Sequence, residues 1–344
     1  MPRRFASTAA FVCHLSDLAR HVAMNHVLHQ HPFTPFDQLP LGDVSSFRAL
    51  AIPAEILPIE TGDQFRHRMG TKSLDTSQWL PSDEETEPTI AMKRELLRLR
   101  RDEVVGLAEG GSDAAEEAAK LIAEFCGVPM QAQGIDALVE ASLLVADDIV
   151  VMQPKGDEQQ LVVVAGVVCS PSRWSIQTKL NSNMMAVHKP VPQYADHVGK
   201  AVDTTMARLR ADQPMVRSNW TIEDHCALFQ PVAPSGPLVQ DPTQLWIRME
   251  RQTLRALPQT GGSMFTIRTY QQPITEYVAR GTDVASTLFS LVVFHTKEGE
   301  LFSKEALKLF IVTGSGDEFQ EVETLIASTI PAPVPDEPCL IAKP

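Results

Sequence analysis

The chain has 344 residues, 44% of them hydrophobic and 21% charged, the balance of an ordinary globular protein long enough for a large core. A formal net charge of -13 argues against general nucleic-acid or anionic-membrane binding, although it leaves room for a local basic pocket. Five scattered cysteines (Cys13, Cys126, Cys169, Cys226, Cys339) form no CxxC pair, so neither a zinc ribbon nor a disulfide scaffold is indicated and a reducing compartment is expected.

The N-terminus, M-P-R-R-F-A-S-T-A-A-F, has the composition of a mitochondrial transit peptide or of a plain N-terminal extension. A cytoplasmic location is expected, mitochondrial if this segment is a targeting signal. No apolar run reaches the roughly 20 residues needed to span a bilayer. Residues 10–28 can form an amphipathic helix, and the proline-containing stretch 32–58 reads as extended and irregular. His26, His29 and His31 lie close together without a fixed metal-ligand spacing. Residues 1–61 are set apart as an accessory extension.

A helical region is expected over 62–145. Within it, 89–105 carries Ile90, Leu96, Leu97 and Val104 near one helix face. Asp113-x-x-Glu116 reads as the capping signal of a second helix, which ends near Phe125 with Gly127 as its stop. Residues 137–145 suit a third. The pattern then changes. Val-rich segments at 148–152 and 161–169 flank P-K-G-D-E and predict a β-hairpin. A helix follows at 195–210, and a short one at 221–229 with Thr221 as N-cap. Residues 245–257 could form a helix with Arg251 and Arg255 one turn apart, but a strand is favoured, because P-Q-T-G-G follows and 263–270 alternates. Phe265 and Ile267 would face one way, Thr266 and Arg268 the other. The core is placed at 146–275, a C-terminal helical region at 276–330 and a mobile proline-rich tail at 331–344. The fold class is α+β with an antiparallel sheet. A sheet of about five strands, with helices inserted between its two hairpins and helical extensions at both ends, would be PAS-like.

Polar blocks inside these apolar segments mark the candidate site: S-P-S-R-W, V-H-K-P-V-P, V-R-S-N-W, R-M-E-R-Q-T-L-R-A-L-P and F-T-I-R-T-Y. His188 sits beside Pro190 and Pro192, which restrict the backbone and hold the imidazole in place. It could be an axial metal ligand or a loop anchor. Arg217, Arg248, Arg251, Arg255 and Arg268, with Lys179 as a weaker member, could clamp carboxylates, or could form ion pairs of little consequence. Glu250 shares a strand face with Arg248 and could receive a cationic substrate or neutralise an arginine. Trp174 and Trp220 could wall a flat ligand or fill the core. Asp147 and Asp148 read as turn or cap residues. No Walker loop, GxGxxG, HExxH, GxSxG, EF-hand loop or C-x-x-C-H occurs.

These blocks, with M-G-T-K-S-L-D-T-S-Q-W-L-P-S-D (69–83), T-I-A-M-K-R-E-L-L (89–97) and A-D-D-I-V-V-M (146–152), resemble the haem-dependent oxidative N-demethylase-like proteins over about residues 62–275. The resemblance implies a PAS-like domain with non-covalent haem b. It implies oxidative demethylation of a small secondary amine, dimethylamine, to a primary amine and formaldehyde with O2. Electrons would come from NADPH through a separate reductase carrying FMN and a 2Fe-2S cluster. His188 would be the haem iron ligand. Glu250 would hold the substrate cation, and Lys179, Trp174, Arg217, Trp220, Arg248 and Arg268 would surround the cofactor. Asp147-Asp148 stands where Glu-Asp is expected, and residues 1–60 and the tail fall outside the resemblance. The alternatives are a haem-PAS gas or redox sensor, which would be expected to carry an output domain, and a haem-free binding module without catalysis.

Overall fold

The computed structural model describes residues 70–156, 159–188, 200–206, 208–223, 227–232 and 246–273. The expected N-terminal helix, the three-histidine group, the prolines at 190 and 192 and the C-terminal helical region lie outside these residues.

The fold is α+β, built on one seven-stranded antiparallel sheet in the order β1-β5-β6-β7-β3-β4-β2. The strands are β1 (Lys72–Ser73), β2 (Val105–Leu107), β3 (Asp148–Lys155), β4 (Gln160–Val167), β5 (Met215–Glu223), β6 (Trp246–Leu257) and β7 (Gly262–Pro273). The helices are α1 (Thr86–Leu99), α2 (Arg101–Val104), α3 (Ser112–Cys126), α4 (Gly134–Ser142), α5 (Ile176–Lys179), α6 (Met184–Val187) and α7 (Lys200–Met206). None of these helices is long and apolar enough to cross a membrane.

Both expected hairpins are present, β3/β4 and β6/β7, with α5 to α7 inserted between them. Five strands were expected; the short edge strands β1 and β2 make seven. Three other expectations need correction. The expected helix start at Thr221 is not a cap: residues 221–223 lie in β5, where Thr221 pairs with Arg248. The helix expected at 89–105 breaks at Arg100, whose backbone leaves helical geometry. At the start of α3 the N-cap is Gly111 without a side-chain cap, and Glu116 instead reaches Lys120 (2.7 Å) and the Gly134 N–H (2.9 Å). Gly127 does stop α3, at φ 66°.

Alternation along the strands gives the sheet two unlike faces. One face carries Ile149, Val151, Met249, Leu257 and Met264 against the alanine-rich sides of α3 and α4, and forms the larger core. Ala114, Ala115, Ala118 and Ala119 let α3 lie close on the sheet. The other face carries Val150, Met152, Val163 and Leu254 against Ile176, Val202 and Met206 of α5 and α7. A Cβ added to Gly106 or Gly166 would come within 2.8 or 2.9 Å of Ile176, so these two glycines form the seat on which α5 docks.

Glu117 of α3, 4% exposed, fixes the β6/β7 turn. It accepts hydrogen bonds from Gln259 N (2.7 Å), Thr260 N (2.8 Å) and Thr260 Oγ1 (2.6 Å). Glu117→Ala is therefore expected to cost about 2–4 kcal/mol, since it removes three hydrogen bonds to a buried carboxylate. A urea midpoint unchanged from wild type would show that the turn does not depend on this carboxylate.

Candidate functional site

The chain leaves β4 through a turn that Asp148 holds. Its Oδ1 accepts from Cys169 N (2.9 Å) and its Oδ2 from Ser170 N (2.7 Å). Burial raises the Asp148 pKa, and the nearby Lys93 ammonium opposes the rise. Arg173 then takes a left-handed backbone (φ 60°), and its N–H donates to Gln230 O at 2.7 Å. The S-P-S-R-W block is thus tied to 227–230, and Trp174 packs on the apolar cluster beneath α5.

His188 is the C-cap of α6 and lies largely buried on the same side. Its Nδ1 is 2.9 Å from Met184 O. A carbonyl can only accept, so Nδ1 carries the hydrogen and the neutral ring keeps its lone pair on Nε2. Burial lowers the His188 pKa, and the charges of Arg217 and Lys179 lower it further, against the Met184 hydrogen bond. The Lys179 ammonium donates to Val187 O (2.8 Å), which joins α5 to α6, and burial lowers its own pKa.

The His188 shift sets a sign for pH dependence. A histidine with a depressed folded pKa contributes stability that is present above its unfolded value, about 6.5, and is lost as pH falls through the folded value. His188→Gln is expected to flatten the decline in unfolding midpoint between about pH 7 and pH 5. A decline identical to wild type would remove His188 from that dependence.

Opposite these helices, register places Met215, Arg217, Asn219 and Thr221 of β5 on the same sheet face as Arg248, Glu250, Gln252 and Leu254 of β6. Arg217 lies directly across from Gln252, whose Nε2 donates to Glu250 Oε2 at 2.9 Å. Arg248 is fully buried. It donates to Ser170 O, Leu228 O (3.3 Å) and Thr269 Oγ1 (3.2 Å), with Glu250 Oε1 at 3.5 Å. Both expected roles for Glu250 thus have a physical basis: it faces Arg248, but at a distance too long for a strong pair. Farther along the face, Glu223 accepts from Ser172 Oγ (2.7 Å) and Thr221 Oγ1 (2.8 Å) and lies 3.2 Å from Arg173.

The structure brings His188, Lys179, Trp174, Arg217, Arg248 and Glu250 to one sheet face. It places Arg268 and Trp220 on the other. Trp220 packs against the core under α3 and α4. The Arg268 guanidinium pairs with Asp83 (2.5 Å), and the Tyr270 hydroxyl donates to the same carboxylate (3.0 Å). Burial pushes the Tyr270 pKa to about 12, so the phenol keeps its proton. Arg251 binds the carbonyls of Trp79 (3.0 Å) and Gln78 (2.7 Å), and Arg255 lies over the Trp79 ring at 4.2 Å. These three arginines fasten residues 78–83 across the helix-covered face.

Several buried polar residues of that face escaped the sequence reading. Lys93 of α1 is fully buried and donates to Asp147 O (2.6 Å) and Val145 O (3.1 Å). The run T-I-A-M-K-R-E-L-L signals it only by placing Lys93 three residues after the buried Ile90 and three before the buried Leu96. Cys169 is buried, and its thiol pKa is raised by burial and by Asp148, so it is not a reactive thiol. Among the described residues, no group of three or more His, Cys, Asp or Glu is placed to hold a metal ion. A cleft of about 620 Å3 beside α2 and α4, lined by Arg101, Asp136 and Glu140, lies on the helical layer and contains neither histidine nor aromatic side chains.

Residues 124–293 match the family described as haem-dependent oxidative N-demethylase, alpha subunit-like. They include all of β3 to β7 and the face that carries His188. No curated protein matches the chain.

Proposed function

The chain belongs, through residues 124–293, to the haem-dependent oxidative N-demethylase alpha-subunit-like family, and from that premise we propose that it is a haem-binding monooxygenase acting on a small secondary amine such as dimethylamine. The products are a primary amine and formaldehyde. One observation carries the reading: His188 is held by Met184 O with its lone pair on Nε2, on a face that pairs apolar walls with cations. The donor set fits a haem. A neutral imidazole suits the iron, and Val150, Met152, Phe265 and Trp174 suit the flat macrocycle. Arg217 and Lys179 supply positive charge near the imidazole for the two propionates. Inserted helices between two hairpins support the PAS-like description.

Bound haem would supply oxygen activation; the protein's own groups do the rest. The Met184 carbonyl fixes the His188 tautomer and makes the ring a better donor. Glu250, held through Gln252 and Arg248, offers a carboxylate lone pair to an ammonium, and burial strengthens that contact. The surrounding apolar side chains exclude water from a methyl group. The family resemblance implies that electrons come from NADPH through a partner reductase carrying FMN and a 2Fe-2S cluster, and the sequence has no nucleotide loop or cysteine cluster of its own for that step.

Formaldehyde release from dimethylamine, measured with a reductase present, tests this reading. Glu250→Gln is expected to raise KM for the amine about 10- to 100-fold with a smaller change in kcat, the equivalent of one charge-assisted hydrogen bond. A haem-loaded protein that binds carbon monoxide but yields no formaldehyde from any small methylamine would favour a sensor. A folded protein that takes up no haem would favour a binding module.

A further inference from the structure

On the helix-covered face, opposite His188, two fully buried charged side chains face an unmet demand for partners. Neither carboxylate oxygen of Asp147, nor Nε or Nη1 of Arg268, has a hydrogen bond of regular geometry, although the Thr266 hydroxyl acts on Asp147 and the Tyr270 hydroxyl on Arg268. Arg268 donates through Nη2 to Asp83. Leaving such atoms without full partners in a dry interior is strongly unfavourable. We infer that Asp147 and Arg268 enclose an internal water site.

The chemistry of the lining selects the occupant. A metal ion or ammonium would meet the positive charges of Arg268, Arg251 and Lys93, all of which act on Asp147. An anion would meet Asp147 itself, with Asp83 and Asp148 close to the same network. Only a neutral molecule that both donates and accepts can satisfy a carboxylate and a guanidinium together, and water is the smallest. A directed hydroxyl chain leads into the site. Trp79 Nε1 donates to Thr253 Oγ1 (3.0 Å), and Thr253 Oγ1 lies 2.7 Å from Thr266 Oγ1. Since the indole is donor-only, Thr253 can pass its own hydrogen to Thr266, and the Thr266 hydroxyl then acts on Asp147. Water at this point would close the network that joins α1, the start of β3 and residues 78–83.

A crystal structure of the full chain, at a resolution that shows ordered solvent, tests this directly and needs no haem. The expected result is a water peak within about 3.2 Å of an Asp147 carboxylate oxygen and of Arg268 Nε or Nη1. In Asp147→Asn the peak should persist, because the amide still accepts, and in Asp147→Leu it should vanish. A direct Asp147–Arg268 pair without solvent, an empty gap, or density with the geometry of a bound ion would overturn the inference. None of these outcomes depends on whether the other face takes up haem.

Discussion

Replacing His188 with alanine is expected to abolish haem retention while leaving the apoprotein folded. The imidazole is a half-buried cap residue that donates to Met184 O within its own turn, so losing that contact should cost about 1 kcal/mol of stability. Under the proposed ligand role, the His188 Nε2 lone pair is the group that would hold the iron. The Soret band should therefore disappear and formaldehyde formation fall below detection, with circular dichroism unchanged. His188→Gly should regain a haem spectrum when imidazole is added to the buffer, which a purely structural histidine would not allow. A His188→Ala protein with an intact Soret band would remove the residue from the iron.

The second large effect lies on the opposite face. Arg268 has no exposed side-chain surface and is paired with Asp83. Truncation to alanine strands the partner carboxylate, takes a cation from the neighbourhood of Asp147 and empties a large buried volume beside Tyr270. The Asp83 side chain stays 30% exposed, so the loss comes chiefly from the emptied volume and from fully buried Asp147, together about 2–5 kcal/mol. Arg268→Met keeps the volume and removes the unmet donors at Nε and Nη1, so its loss should be clearly smaller. Equilibrium urea unfolding distinguishes the two. Equal midpoints for Arg268→Ala and wild type would show that residues 78–83 are held by other contacts.

The two faces also explain what the sequence could convey. Strands β6 and β7 were legible because a turn follows 257 at once and the residues after it alternate, and that alternation separated Phe265 from Arg268 correctly. It likewise set Glu250 on the same face as Arg248. Strand β5 was not legible as a strand. V-R-S-N-W-T-I-E places polar residues on both faces, so period-two patterning is lost, and Thr221 offered a helix cap in its place. The partners of the arginines were out of reach for another reason. Arg268 and Asp83 stand 185 residues apart, and Arg251 and Gln78 173 apart, so only the folded sheet brings them together. Arg268 was therefore grouped with cofactor-binding residues by its type, whereas the fold gives it an internal partner. The proposed cofactor roles of His188, Lys179 and Arg217 rest on their shared face and on chemistry, and Glu250 and Arg248 extend that face by one and two rungs of the ladder.

The central claim is that this face takes up haem through His188. It is tested most directly by an ultraviolet–visible spectrum of the purified full chain, oxidised and then dithionite-reduced, with and without carbon monoxide. The expected result is a Soret band that shifts with carbon monoxide and is absent from His188→Ala. A folded, colourless protein after expression with added haem would contradict the claim, as would a Soret band indifferent to His188.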